Sequence, residues 1–265
     1  MHCQNCHYEM SVTAGTIFHR TKLPLLLWFK AIWWLMSQKY GANALGLQRI
    51  LGFGSYQTAW TWLHKLRRCM VRPGRERLSG EVEVDETYVG GVEVGAKGRG
   101  AVEKVLVAVA AEVRGRAIGR IRMGIISDAS ASSLRSFIDL SVEPGATIIS
   151  DGWTGYSGVA EWGYVHRIHI VRKSGKQAHE LLPRVHRVAS LLKRWLLGTL
   201  QGAASTKHLG YYLDEFTFRF NRRSSGHRGL LFYRLLEQAV STDPCTYRKI
   251  VGNRKAPPSP LDHNL

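Results

Sequence analysis

Two aspartates that each belong to a strand-like pattern are the residues best suited to metal chemistry. Asp85 lies in residues 81–88, where polar and apolar side chains alternate, and Asp151 directly follows the apolar run 146–150. Carboxylates held on neighbouring strands can bind two Mg²⁺ ions about 4 Å apart. The pair therefore predicts a two-metal site for phosphodiester chemistry. An aspartate before a glycine, as in Asp151-Gly152, is also a common turn former, and that alternative stays open.

A helix-like segment downstream, residues 181–194, offers His186 as a third ligand. Lys193 follows seven positions later; this is about two helical turns, so both side chains are predicted to leave one face about 10 Å apart. That face would carry a ligand and a cation for a phosphate. Glu180 is the rival third ligand, on a different helix face. A surface or DNA-backbone role for His186 also stays open.

A pair of histidines, His166 and His169, precedes this segment. In an extended chain, residues three apart point to opposite faces. We therefore leave both histidines outside the predicted site.

The elements that must position these residues follow in the order three strands, a helix, a strand and further helices. The strands are predicted at 81–88, 104–113, 117–126 and 146–150, the first helix at 129–140, and the later helices within 175–239. Acidic residues in the first strand and at the end of the fourth are typical of a ribonuclease-H-like core. The predicted fold class is therefore mixed α/β (α+β), with a catalytic domain over residues 76–240.

The chain before residue 75 has helical periodicity instead. Residues 25–37 predict a buried helix, and residues 44–51 and 56–68 predict two helices across a Gly-containing turn with Ser55 as a possible cap. This pattern favours a helix-turn-helix at 21–72, although any helical hairpin resembles it. The predicted DNA-contacting residues are Gln57, Thr58, Lys65, Arg67 and Arg68, together with Arg194 further along the chain.

Cys3 and Cys6 form a CxxC knuckle, which supplies two of the four ligands that Zn²⁺ requires. Cys69 and Cys245 stand alone, so the other half of a zinc site is missing and zinc binding stays an open question. Four cysteines in 265 residues make no disulfide framework, which favours a cytoplasmic protein.

An excess of basic residues, 37 Lys and Arg against 20 Asp and Glu, gives the chain a formal charge of +17. The excess is spread along the sequence and predicts a polyanionic partner; nucleic acid is favoured over anionic lipid. The longest apolar stretch, residues 23–36, is shorter than the roughly 20 residues that a membrane span needs. No membrane association and no secretory signal are expected, and the bacterial cytoplasm and nucleoid are the predicted location.

Several motifs, in the same order along the chain, resemble DDE-superfamily insertion-sequence transposases. The resemblance is to the ISXO-like branch, which combines a zinc ribbon, a helix-turn-helix and a ribonuclease-H-like core. The matching segments are residues 11–16, 57–60, 84–91, 150–152, 191–194, 212–216 and 220–223.

This resemblance implies that Asp85 and Asp151 are the catalytic aspartates and that Lys193 is the basic residue seven positions after the third ligand. The third position, usually Glu or Asn in the family, is His186 here, and imidazole suits Mn²⁺ and Zn²⁺ better than Mg²⁺. The family begins with two CxxC knuckles, so residues 1–20 are expected to be the remnant of a zinc ribbon. The tail, residues 241–265, is expected to be disordered.

The resemblance further implies a metal-dependent DNA transposase that uses two Mg²⁺ or Mn²⁺ ions. Such an enzyme cuts the ends of its element and joins the 3′-OH to target DNA. Its partners would be double-stranded DNA, as terminal inverted repeats and target, and further copies of itself, at least as a dimer. His186 and the missing knuckle motivate one alternative, a transposase-derived protein that binds DNA but no longer cuts it.

Overall fold

The computed structural model describes residues 4, 11–72, 74–90, 104–170, 175, 177–200 and 206–252. The predicted zinc ligands Cys3 and Cys6 lie outside these residues. The described chain divides into two compact units. Of the described residues, those up to residue 72 and those from 224 to 252 form the helical unit, and those from 74 to 223 form the sheet unit. Over this part of the chain, no helix is long and apolar enough to cross a membrane.

The described residues form nine α-helices and five strands. They are α1 (Leu25–Ser37), α2 (Ala44–Leu51), α3 (Tyr56–Arg68), β1 (Glu81–Gly90), β2 (Lys104–Arg114), β3 (Ala117–Ile126), α4 (Ala131–Ser141), β4 (Thr147–Asp151), β5 (Val165–His169), α5 (Ala178–Leu181), α6 (Pro183–Leu200), α7 (Leu209–Asn221), α8 (Arg228–Val240) and α9 (Tyr247–Val251).

The helical unit is built on aromatic packing between α1 and α3. The ring of Trp28 stacks on the ring of Trp62, with 3.6 Å between their centroids. The Asn43 side chain caps α2 by accepting a hydrogen bond from the backbone N–H of Gly46. Gly52, with a φ of 67°, ends α2 in the left-handed conformation and turns the chain into α3. The predicted cap Ser55 lies at the N-cap position of α3 but makes no side-chain cap hydrogen bond.

Two segments lie elsewhere than the predicted domain bounds place them. Helix α8, predicted to belong to the catalytic domain, packs on α1 in the helical unit. Its buried residues are Leu231, Leu235 and Ala239, and the carbonyl of Ala239 accepts a hydrogen bond from the N–H of Ile17. The tail that was expected to be disordered contains α9, whose Ile250 is buried. Both helices therefore contribute apolar side chains to the core of the helical unit.

The sheet unit has a five-stranded mixed sheet in the order β3-β2-β1-β4-β5. Strands β1, β2 and β3 pair antiparallel, whereas β4 and β5 continue the sheet in parallel pairs from β1. The strand order confirms the predicted α/β class and ribonuclease-H-like core. Strand β5 was not predicted; it has only five residues.

Helices cover both faces of this sheet. On one face, α6 and α7 pack over the apolar side chains of Val107, Val109 and Ala111. On the other face, α4 packs over a second cluster that includes Val82 and Val84. Because side chains alternate along a strand, Glu83 and Asp85 of β1, which alternate with these valines, face α6.

Two of the predicted DNA-contacting residues in α3 contact other residues of the helical unit. Arg67 is 2% exposed, and its Nη2 donates a hydrogen bond to the backbone oxygen of Ala42 at 2.9 Å. The Nζ of Lys65 lies 5.9 Å from the ring centroid of Trp28, and burial lowers the pKa of this lysine. The structure therefore removes Arg67 from the predicted DNA surface, because packing of the helical unit uses that face of α3. Gln57 is exposed, and Thr58 and Arg68 are half-buried.

We expect Arg67→Met to lower the free energy of unfolding by about 1–3 kcal/mol, since it removes a buried guanidinium and leaves its acceptor unpaired. Urea denaturation measures the change. Arg68→Met, which makes the same substitution at the neighbouring half-buried position, is the control and should change stability little. Equal stability of Arg67→Met and the wild type would contradict this role.

Candidate metal and catalytic site

The pairing of β1 with β4 brings the two predicted catalytic aspartates level. In this parallel ladder Glu83 is opposite Ile149, and Asp85 and Asp151 each lie two positions further along their strands. Both carboxylates therefore leave the sheet on the same face, which is the face that α6 covers. The structure therefore places the two predicted catalytic aspartates side by side, and their action as a metal-binding pair stays a prediction.

Asp85 is an ionisable group in an unfavourable electrostatic position. Its side chain is 20% exposed. Burial raises the pKa of Asp85 to about 7, and the negative charges of Glu86 and Asp151 add to this shift. Low exposure and like charges both disfavour the ionised form. A divalent cation beside Asp85 would reverse this balance, so the carboxyl fits a metal ligand.

Helix α6 brings His186 to Asp85, with 3.5 Å between Nε2 of the imidazole and Oδ2 of the carboxyl. Burial lowers the pKa of His186, and the nearby His179 lowers it further. The imidazole is therefore neutral near pH 7. Because the pKa of Asp85 is raised, the contact joins a carboxyl to a neutral imidazole rather than forming an ion pair. Neutral imidazole is the form that binds metal ions.

Asp151 forms a turn, which is one of the two roles that its sequence context suggests, and its role as a metal ligand stays a prediction. Its Oδ1 accepts a hydrogen bond from the backbone N–H of Trp153 at 2.9 Å, so it shapes the turn after β4. It also lies beside Asp85 in the sheet. Within the described residues, no three His, Cys, Asp or Glu side chains are close enough together to hold a metal ion. The structure thus brings Asp85 and His186 into contact, while Asp151 shares their face without completing a three-ligand cluster.

Lys193 shares helix α6 with His186, as their spacing predicts, and Arg194 is exposed on the same helix. Partial burial lowers the pKa of Lys193, and repulsion from Lys104 adds to the effect. The rival ligand Glu180 lies on the separate short helix α5 and is exposed. Its Oε2 accepts a hydrogen bond from the N–H of Gln177 at 2.8 Å. The structure therefore brings His186 to Asp85 and places Glu180 on a separate helix, and the identity of the third ligand stays a prediction.

The two excluded histidines lie on β5, and only one of them faces away from the site. Nε2 of His166 is 2.8 Å from the hydroxyl of Ser150, on the face opposite Asp151. His169 is the ladder partner of Asp151, so its side chain leaves the sheet on the same face as that carboxylate. The sequence predicts that the two histidines point to opposite faces. It does not predict the fifth strand, and therefore it does not predict the proximity of His169 to Asp151.

Glu86 is a charged neighbour of the site that sequence patterns did not single out. It follows Asp85 in β1 and lies on the opposite face, where its Oε1 accepts a hydrogen bond from the hydroxyl of Tyr156 at 2.7 Å. Tyr156 is buried in the core between the sheet and α4. This bond holds a carboxylate near Asp85 and helps to explain the raised pKa of Asp85.

Comparison with known proteins identifies the family of this chain. Residues 77–221 match the model of the ISXO2-like transposase domain. The chain belongs to the ISXO2-like transposase family. An uncharacterised protein in the transposable element ISH50 of Halobacterium salinarum is 25% identical to this transposase over 236 residues. The aligned region covers 82% of this chain and 76% of that protein.

Solved structures that resemble this transposase include the catalytic core domain of BIV integrase. It is 18% identical, with a TM-score of 0.38 over 56% of this chain and 88% of that chain. The Mos1 strand transfer complex is 11% identical, with a TM-score of 0.25 over 80% of this chain and 78% of that chain.

Asp85→Asn should stabilise the metal-free protein by about 2–4 kcal/mol near pH 8, because it replaces a poorly stabilised carboxylate with a neutral group of the same shape. Below about pH 4 the carboxyl is protonated in both the folded and unfolded states, and the variants should differ little. As the pH rises from about 4 to 7, the unfolded state loses the Asp85 proton that the folded state retains, so the wild type loses more stability than Asp85→Asn.

Thermal denaturation of both proteins in EDTA across this pH range measures the difference. Adding Mn²⁺ at pH 8 should raise the melting temperature of the wild type more than that of Asp85→Asn. A stability difference that is the same at pH 4 and pH 8 would contradict the raised pKa.

Proposed function

We propose that this transposase cuts DNA at the ends of its element and joins the freed 3′-OH to target DNA, using Asp85, Asp151 and His186. The observation that carries the proposal is the 3.5 Å contact between His186 and Asp85, on the face of the sheet that Asp151 shares. The Asp85 carboxyl has a raised pKa, and it contacts the neutral imidazole of His186. Together the two groups form an incomplete ligand set, which a bound cation would stabilise. The family membership supplies the reaction class.

The ligand chemistry of the site suits Mn²⁺ and Mg²⁺. Asp85 and Asp151 would provide the hard carboxylate oxygens, and His186 would provide a nitrogen that favours Mn²⁺ over Mg²⁺. Divalent ions held by these residues would supply Lewis-acid chemistry, which activates the attacking oxygen and stabilises the leaving oxygen of the phosphodiester. Lys193, about two helical turns beyond His186, would bind a phosphate of the DNA near the cut.

DNA recognition is proposed for α2 and α3 of the helical unit, acting as a helix-turn-helix on the terminal inverted repeats. The N-terminal residues of a recognition helix reach base edges in the major groove. Tyr56 and Gln57, at the start of α3, are both exposed. The formal charge of +17 favours contact with the phosphate backbone. Because two element ends must be brought together, we propose that the protein acts as a dimer or a larger assembly.

The second candidate function is DNA binding without cleavage. Two observations favour it: the third position is a histidine, and the described residues contain no ready three-ligand cluster. The two functions share the same fold and the same DNA surface. They differ in whether metal-dependent cutting occurs and whether it depends on the two aspartates.

We expect purified protein with Mn²⁺ to nick DNA that carries the element ends, and Asp85→Ala or Asp151→Ala to lower the nicking rate by about 10³-fold or more. Gel analysis of end-labelled DNA measures cleavage, and a mobility-shift assay on the same DNA measures binding. Glu161→Gln, at an exposed carboxylate of the sheet unit, is the control and should behave like the wild type. Intact binding with no cleavage in any of these proteins would establish the second function.

A substitution at the third ligand tests His186 itself. His186→Glu introduces a hard oxygen ligand, so the ratio of Mg²⁺-supported to Mn²⁺-supported cleavage should rise by about tenfold or more. His186→Ala should lower cleavage in both metals. His179→Glu, which alters a histidine near His186 but outside the proposed ligand set, is the control. A metal preference that His186→Glu leaves unchanged would remove His186 from the ligand set.

A further inference from the structure

A second carboxylate of β1, Glu83, contacts the first turn of α6. Its Oε2 accepts hydrogen bonds from the backbone N–H of Arg184 at 2.7 Å and of Val185 at 3.1 Å. These amides belong to the group at a helix start that has no partner within the helix. Residue 182, which precedes α6, is a leucine and has no side-chain acceptor to cap it. Glu83 therefore caps α6 from the neighbouring strand.

The Arg184 side chain extends this connection to the hairpin between β2 and β3. Its Nη1 donates a hydrogen bond to Oε1 of Glu83 at 2.7 Å, while its other nitrogens donate to the backbone oxygens of Gly115 and Ala117. Glu83 is 2% exposed, so both of its oxygens are paired away from solvent. The start of α6 is thus held by charged hydrogen bonds in a fixed geometry.

The position of this cap determines where His186 lies. Glu83 and Asp85 are two residues apart on one face of β1, and Arg184 and His186 are two residues apart in the first turns of α6. A strand and a helix are each rigid over such a short distance. Fixing the Arg184 amide on Glu83 therefore also fixes the imidazole of His186 against the Asp85 carboxyl.

We propose that Glu83 is a positioning residue for the metal site, acting through the N-terminus of α6 rather than as a ligand. This inference rests on the proposed function, because it assigns Glu83 the task of holding the third ligand in place. The positioning role explains why the Glu83 carboxylate is buried two residues before Asp85. Among the hydrogen bonds of the described residues, Glu83 makes none to His186.

The test compares Glu83→Ala and Glu83→Gln with the wild type in the full-length protein. Hydrogen exchange followed by mass spectrometry should show the amides of residues 184–188 exchanging at least about tenfold faster in Glu83→Ala, because the first turn loses its cap. Mn²⁺ binding, measured from the loss of the free-ion electron paramagnetic resonance signal, should weaken by about 10- to 100-fold. Glu83→Gln keeps one acceptor oxygen, so its exchange rate and its Mn²⁺ affinity should lie between those of the wild type and Glu83→Ala.

Glu112 provides a matched control on the opposite face of the sheet. It is 4% exposed and accepts hydrogen bonds from the backbone N–H of Arg120 at 2.9 Å and from Nη2 of the same arginine at 2.7 Å. Its ladder partner is Val82, which faces α4. Glu112→Ala therefore removes a similarly buried and hydrogen-bonded carboxylate on the face opposite His186, and Mn²⁺ binding should be retained.

The possible results separate the positioning role from general destabilisation and from failure of the proposed function. Unchanged exchange in α6 and unchanged Mn²⁺ binding in Glu83→Ala would overturn the inference, as would an equal loss of Mn²⁺ binding in Glu112→Ala. If Glu83→Ala does not fold, Glu83→Gln decides by the same two measurements. If the wild type binds no Mn²⁺, the proposed function fails, and unchanged exchange in Glu83→Ala would still overturn the cap.

Discussion

The parallel pairing of β1 with β4 is the constraint on which the candidate site depends. It places two strands from distant parts of the chain in register, so that Asp85 and Asp151 lie level on one face of the sheet. Antiparallel pairing of β1 with β2 on its other side holds β1 in the centre of the sheet. The face that carries the carboxylates is then closed by α6, which is capped by Glu83 of the same strand. One central strand therefore supplies a proposed ligand and the support for another.

This arrangement places acidic groups where they reduce the stability of the metal-free protein. A carboxyl that is 20% exposed and has three acidic neighbours is costly to ionise, which is why the pKa of Asp85 is about 7. Glu83 is more deeply buried, but it is fully hydrogen-bonded. The two residues therefore have different roles. Glu83 stabilises the fold, whereas Asp85 destabilises it unless a cation is present.

Sequence patterns predicted the elements that have a regular period and a clear boundary. The strands around Asp85 and Asp151 and the helix with His186 and Lys193 were found, because alternation and helical spacing are local properties. The family motifs added the order of the catalytic residues. Strand β5 was missed because it is short and lies at the edge of the sheet, where half of its side chains do not need to be apolar. The relation of His169 to Asp151 was missed with it.

Contacts between distant segments were beyond prediction from local patterns. The cap that Glu83 provides to α6 joins residues about 100 positions apart, and nothing near Glu83 in the sequence indicates it. The burial of Arg67 likewise depends on the carbonyl of Ala42, 25 positions away. The packing of α8 on α1 joins two segments that are distant in the sequence. In each case tertiary packing decides which residues of an element face inward.

The most direct test of the account is a crystal structure of the protein grown with Mn²⁺, with anomalous diffraction used to locate the metal. We expect an anomalous peak within about 2.0–2.3 Å of both the Asp85 carboxylate and Nε2 of His186, with Asp151 joining the same ion or a second one. Manganese bound by Asp85 and Asp151 with His186 turned away, or no peak at these residues, would contradict the central claim that His186 completes the site.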